Sequence, residues 1–135
     1  VGTNVASDAL SNLASAGVRG GALIVIGEDY GEGASIIQER SHAFAMKSQI
    51  WLLDPRPNLP TMVRMVEKSF ELSEASSTPV MLELRIRACP LRGSFEAKDN
   101  VPAKYSRTNP IPAPEFDYER ICLPPAVYAQ ERHKI

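Results

Sequence analysis

Three short apolar runs, set apart by stretches with helical spacing, constrain this chain more than anything else in it. The runs are Ala22–Ile26 (ALIVI), Gln49–Leu53 (QIWLL) and Val80–Ile86 (VMLELRI). Strand–helix alternation of this kind predicts a parallel sheet with helices on its faces, because parallel neighbours need a crossover long enough to hold a helix. The first run is bounded by glycines and reads as a strand buried on both faces. The third alternates Glu83, Arg85 and Arg87 with apolar neighbours, so one of its faces is expected outside the core.

The connecting segments carry their own signals. Thr3 to Ala16 reads as one helix, capped by Thr3 or Asn4, with Ala6, Leu10, Leu13 and Ala14 at helical spacing and Gly17 as its stop. A second helix is expected over about residues 35–47. Asp54-Pro55-Arg56-Pro57 ends the second strand sharply, since each proline removes a donor and restricts its predecessor. Asn58 is a good N-cap and Pro60 sits in a first turn, where a missing N–H costs little. The helix of about 59–76 that follows has Met62, Val63, Val66, Phe70 and Leu72 as its expected apolar side. Seven prolines fall between Pro90 and Pro125. Residues 91–135 are read as an extended linker or wrapping tail, with a short helix regained after Pro125.

Composition excludes several classes. With 135 residues, 15 basic and 16 acidic, the chain fits one domain with a modest core and has no basic excess for nucleic acid. No apolar run approaches the roughly 20 residues of a membrane helix, and no signal peptide is visible, so the expected compartment is cytoplasmic. Cys89 and Cys122 are too far apart in sequence to suggest a metal-binding pair, and Cys89 and Trp51 are both read as core.

The loop after the first strand is the expected working edge. Gly27 to Gly33 leads from a strand towards a helix, where open α/β sheets bind ligands outside the carboxyl ends of their strands. Two readings are open for each residue. Arg40 is a carboxylate contact or a solvated, ion-paired side chain, and His42 is a proton carrier or a plain surface histidine. Glu28, Asp29 and Glu32 are metal ligands, or else solvated loop acids or partners of a helix N-terminus, the latter two favoured. Tyr30 lines a cleft or covers the loop. A phosphate-binding flavodoxin-like loop ranks last, because these acids repel phosphate.

The runs GVRGGALIVIGEDYGEGAS, QERSHAFAMKSQIWLLDP and VEKSFELSEASSTPVMLELRIRACPLRG, taken in order, resemble the thiamine-diphosphate-dependent 2-oxoacid:ferredoxin oxidoreductases. Among these, the indolepyruvate ferredoxin oxidoreductases are the most similar. The opening VGTNVASDALSNLASAGVRGG and the ending YERICLPPAVYAQERHKI fit the same family, so the likeness covers essentially the whole chain. Gly31-Glu32-Gly33 departs from the family's usual loop.

The resemblance implies a partial thiamine-diphosphate-binding, flavodoxin-like α/β fold. Residues 1–90 would be the C-terminal part of a pyrimidine-binding domain, and 91–135 the link to the next. It implies oxidative decarboxylation of 2-oxoacids, aryl pyruvates among them, to acyl-coenzyme A with ferredoxin as acceptor. Thiamine diphosphate, magnesium and an iron–sulfur cluster would serve the complete enzyme, with further domains or subunits as partners and a homodimer as the assembly. Arg40, Ser41 and His42 are the implied substrate-binding residues, and Glu28, Asp29 and Tyr30 the implied cofactor-binding ones. The family's activating glutamate has no counterpart here, so the chain is expected to be inactive alone. The alternative is a regulatory or scaffold module that keeps the fold without catalysis.

Overall fold

The computed structural model of the chain describes residues 2–31, 36 and 38–135. In order, the elements are α1 (Gly2–Val5), α2 (Ser7–Ala16), β1 (Leu23–Glu28), α3 (Ser41–Ser48), β2 (Trp51–Leu53), α4 (Leu59–Ser76), β3 (Val80–Arg85), a 3-10 turn (Ile86–Ala88) and α5 (Ala126–Lys134). The three strands form one parallel sheet in the order β1-β3-β2. The fold is thus the expected open α/β arrangement, a parallel sheet flanked by helices.

Strand parity assigns the faces. Ile24, Ile26, Met81 and Leu52 point to one side, where they pack with Leu10 and Ala14 of α2, Phe44 and Ala45 of α3, and Ile50. The opposite side meets α4. There Ser69 and Ser73 are both fully buried, and the Ser73 hydroxyl accepts from the Ala22 amide at 2.9 Å. The expected apolar side of α4 is therefore rotated: Val66 and Phe70 remain 38% and 43% exposed. Small side chains let the helix axis come close to the sheet, which the larger apolar residues would prevent.

Topology reverses the expected roles of two strands. β1 is an edge strand and Val25 is 58% exposed, so it is not buried on both faces. β3 is central, and Val80, Met81, Leu82 and Glu83 are all buried, so neither of its faces lies outside the core. Each fully buried apolar residue there contributes about 2 kcal/mol.

Other expectations also need correction. The first helix breaks at Ala6 (φ −81°, ψ 1°) into α1 and α2, so Thr3 and Asn4 lie within α1 rather than capping a single helix. The helix expected from about residue 35 starts at Ser41. Residues 35 and 37 lie outside the described residues. Gln49 is the left-handed C-cap of α3 (φ 53°, ψ 46°), which shortens the second strand to three residues. Trp51 is half exposed because α4 covers only part of β2, and its indole N–H donates to Ser76 Oγ at 3.0 Å. Cys89 is exposed, since it caps the 3-10 turn at the surface end of β3. The capping of α4 is as expected: Asn58 accepts from the Thr61 amide at 3.1 Å, and Pro60 lies in the first turn.

Residues 91–125 form no helix or strand and are almost wholly exposed. The short helix expected after Pro125 is α5, which packs on α2. Its Gln130 is 3% exposed, donates to the Ser77 carbonyl at 3.1 Å and accepts from Arg120 at 2.9 Å. A cavity of about 450 Å³ beside it is lined by Ser77, Arg120, Gln130 and His133, at the amino ends of the strands. No helix among the described residues is long and apolar enough to cross a membrane.

Candidate functional site

Each strand delivers a carboxylate to its carboxyl end on the face covered by α3. Glu28 ends β1, Asp54 follows β2, and Glu83 lies near the end of β3. In register, Ile26 pairs with Glu83 and Leu53 with Leu82, which brings the three acids to one edge. α3 starts over that edge and adds Ser41 and His42.

Glu28 and Ser41 form the link from strand to helix. Glu28 is 7% exposed and Ser41 3%. One Glu28 oxygen accepts from the Ser41 amide at 3.0 Å and from the Ser41 hydroxyl. The carboxylate thereby satisfies an orphan N–H of the first helical turn and faces the positive end of the helix dipole. This link, made through one Glu28 oxygen, fixes where His42 stands.

The second group is built on Glu83, which is fully buried. Its Oε1 accepts from the Tyr30 hydroxyl at 2.7 Å, while its Oε2 lies 3.6 Å from His42 Nδ1 and has no hydrogen-bond partner. The Tyr30 oxygen is also 3.2 Å from His42 Nδ1. Arg85 binds Asp54 through Nε and Nη2 together and stands 3.8 Å from Glu83. His42 Nε2 is 3.9 Å from Asp54. Guanidinium groups of Arg40 and Arg85 lie over the Tyr30 ring, 4.5 and 5.1 Å from its centroid. Such contacts are worth about 0.5–1 kcal/mol each at an exposed site.

The electrostatics follow from these contacts. Burial, then the hydrogen bond to Glu83, push the Tyr30 hydroxyl well above the usual tyrosine range, so it remains a donor. Hydrogen bonding to Asp54 raises the Arg85 guanidinium further. A cleft of about 370 Å³ opens alongside, lined by Tyr30, Pro57, Arg85, Ile86 and Arg87.

Of the six residues that the resemblance implies as substrate- or cofactor-binding, five meet here: Glu28, Tyr30, Arg40, Ser41 and His42. Arg40 is exposed at the N-cap of α3, stacked on Tyr30 and donating to the Glu39 carbonyl at 3.2 Å. Asp29 is half-buried in the turn, where its carbonyl accepts from the Gly31 amide. Glu32 lies outside the described residues. Asp54, Glu83 and Arg85 went unnoticed in the sequence as site residues. An acid at the same-face position near the end of each predicted strand was the signal that would have found Asp54 and Glu83.

What this edge can hold follows from its donors. Among the described residues no group of three or more His, Cys, Asp or Glu is placed to hold a metal ion. Three carboxylates do not suit a diphosphate. A carboxylate-bearing organic ligand suits Arg40, and a hydrogen-bonding partner suits His42.

Comparison with known proteins agrees in one direction. The chain is 32% identical over 120 residues, 84% of its length, to indolepyruvate oxidoreductase subunit IorA of Methanothermobacter marburgensis. It is 31% identical over 71% of its length to the subunit of the same name from Methanothermobacter thermautotrophicus, and 30% over 69% to that of Pyrococcus horikoshii. The aligned part is only 19%, 15% and 14% of those proteins, so the chain spans less than a fifth of the length of the curated relatives it matches. No family model and no solved structure matches it. All of these relatives carry a single name, and the similarity over most of this chain supports its membership of the family of the IorA subunits of indolepyruvate oxidoreductase.

Proposed function

We propose that these residues form one wall of the substrate cleft in a 2-oxoacid:ferredoxin oxidoreductase. The carrying observation is Arg40 at the start of α3, stacked on Tyr30 at the carboxyl edge of the sheet and open to solvent. A guanidinium there pairs with the carboxylate of a 2-oxoacid, and the apolar stem of Tyr30 suits an aryl side chain. His42, Ser41 and Glu28 set the position of the helix that carries Arg40.

When bound in the complete enzyme, thiamine diphosphate supplies the carbanion chemistry of decarboxylation. Tyr30 and the acidic edge at Glu28 and Asp29 would face its hydrogen-bonding ring. The diphosphate and magnesium would be held by another domain, since the carboxylates here repel phosphate. Ferredoxin, coenzyme A, an iron–sulfur cluster and a second copy of the protein belong to the same reading, with residues 91–135 leading to neighbouring parts of the assembly.

The test is kinetic, in the complete oxidoreductase. Loss of a charge-assisted bond of about 1.5–3 kcal/mol predicts that Arg40→Ala raises KM for an aryl 2-oxoacid about 10- to 100-fold. Arg40→Lys should recover part of this, because it keeps charge but not the bidentate fork. An unchanged KM in both variants would remove Arg40 from the site.

A further inference from the structure

We propose that Glu83 is a positioning residue that fixes the tautomer of His42, with the proton on Nδ1, and so leaves Nε2 as the proton acceptor for a ligand at the carboxyl edge of the sheet. The argument is one of donor counting. The Tyr30 hydroxyl has a single proton, and the 2.7 Å contact commits it to Glu83 Oε1. His42 Nδ1 then faces two acceptors: the Tyr30 oxygen at 3.2 Å and Glu83 Oε2 at 3.6 Å. A lone pair on Nδ1 would be repelled by both, whereas an N–H would be attracted by both.

The buried carboxylate points the same way. Glu83 is fully buried and its Oε2 has no hydrogen-bond partner, a costly state for a desolvated oxygen. An N–H on Nδ1, 3.6 Å away, would relieve it after a small movement of the ring. Asp54, near the other ring nitrogen, has both oxygens occupied by Arg85 and stays 3.9 Å from Nε2. The arrangement has the logic of a carboxylate orienting a histidine through one nitrogen while the other does acid–base work. The ring itself is open to solvent, with 48% of its side chain exposed. Only the identity of the ligand rests on the proposed function.

The experiment is nitrogen NMR of the intact protein with labelled histidine, at about pH 8.5, above the ordinary histidine pKa of about 6.5. His42 is assigned by the signal lost in His42→Gln. The expected result is a protonated Nδ1 and an unprotonated Nε2 in the wild type, changing to the opposite tautomer in Glu83→Gln. A wild-type ring carrying its proton on Nε2, or on both nitrogens, overturns the proposal, and so does a Glu83→Gln spectrum with an unchanged tautomer. The wild-type reading decides alone if Glu83→Gln does not fold. In the complete oxidoreductase, Glu83→Gln should lower kcat about 100-fold with little change in KM. An unchanged kcat there overturns the proton-transfer role. A wild-type enzyme that turns over no 2-oxoacid refutes the proposed function and leaves the tautomer result standing.

Discussion

Gly17 ends α2 with φ 74° and ψ 177°, a backbone region open essentially to glycine alone. A Cβ added there would stand 2.8 Å from Cδ and Nε2 of Gln130 and 2.9 Å from the Ser77 carbonyl oxygen. Gln130 can move, but the Ser77 oxygen belongs to the backbone that leads into the central strand. The conformational strain of Gly17→Ala is about 2 kcal/mol. Displacing the Gln130 amide from its bonds to Ser77 and Arg120 adds about 1 kcal/mol more. Unfolding entropy of about 2.1 cal/mol/K per residue makes a loss of 3 kcal/mol a fall in Tm of about 10 °C for this chain. The assay is thermal unfolding followed by circular dichroism, with Gln130→Ala and the double variant as controls. The double variant should regain only the part of the loss due to the Gln130 clash, since strain and the Ser77 contact persist. A Gly17→Ala protein melting within about 2 °C of wild type would refute both the backbone assignment and the docking of α5 on this junction.

Asn58→Ala removes the side-chain cap of α4 and should cost about 1 kcal/mol, read as a lower urea midpoint at unchanged slope. Gln49→Gly relieves a non-glycine residue held at φ 53° on an exposed helix end and should raise stability by about 0.5–1 kcal/mol in the same assay. Tyr30 is neutral when protonated and its pKa is raised in the fold. Its contribution is therefore complete below the ordinary tyrosine pKa of about 10 and is lost as pH climbs beyond it. The stability difference between wild type and Tyr30→Phe should accordingly shrink above about pH 10, and a difference that is flat with pH would contradict the Tyr30–Glu83 bond.

Local sequence determined the alternation of helices and strands, the N-cap of α4 and the approximate place of the working edge. Those features rest on neighbours in the chain: apolar runs of strand length, Asn58 ahead of Pro60, and a glycine-containing loop between a strand and a helix. Five of the six residues chosen for the site meet because they lie on one strand–loop–helix unit, so their proximity is largely covalent. Sheet order was decided only by tertiary structure. The run at 22–26 is the more apolar, yet β3 became the central strand because the chain crosses from β1 to the far edge and returns. That placement buries Glu83, which alternation in the sequence had assigned to an outer face, and brings it to Tyr30 and His42 from 53 and 41 positions away. It also joins Asp54 to Arg85 across the sheet. A single strand's pattern records which residues share a face. What covers that face, and which distant side chains meet at its end, depends on where the crossovers put the neighbouring strands.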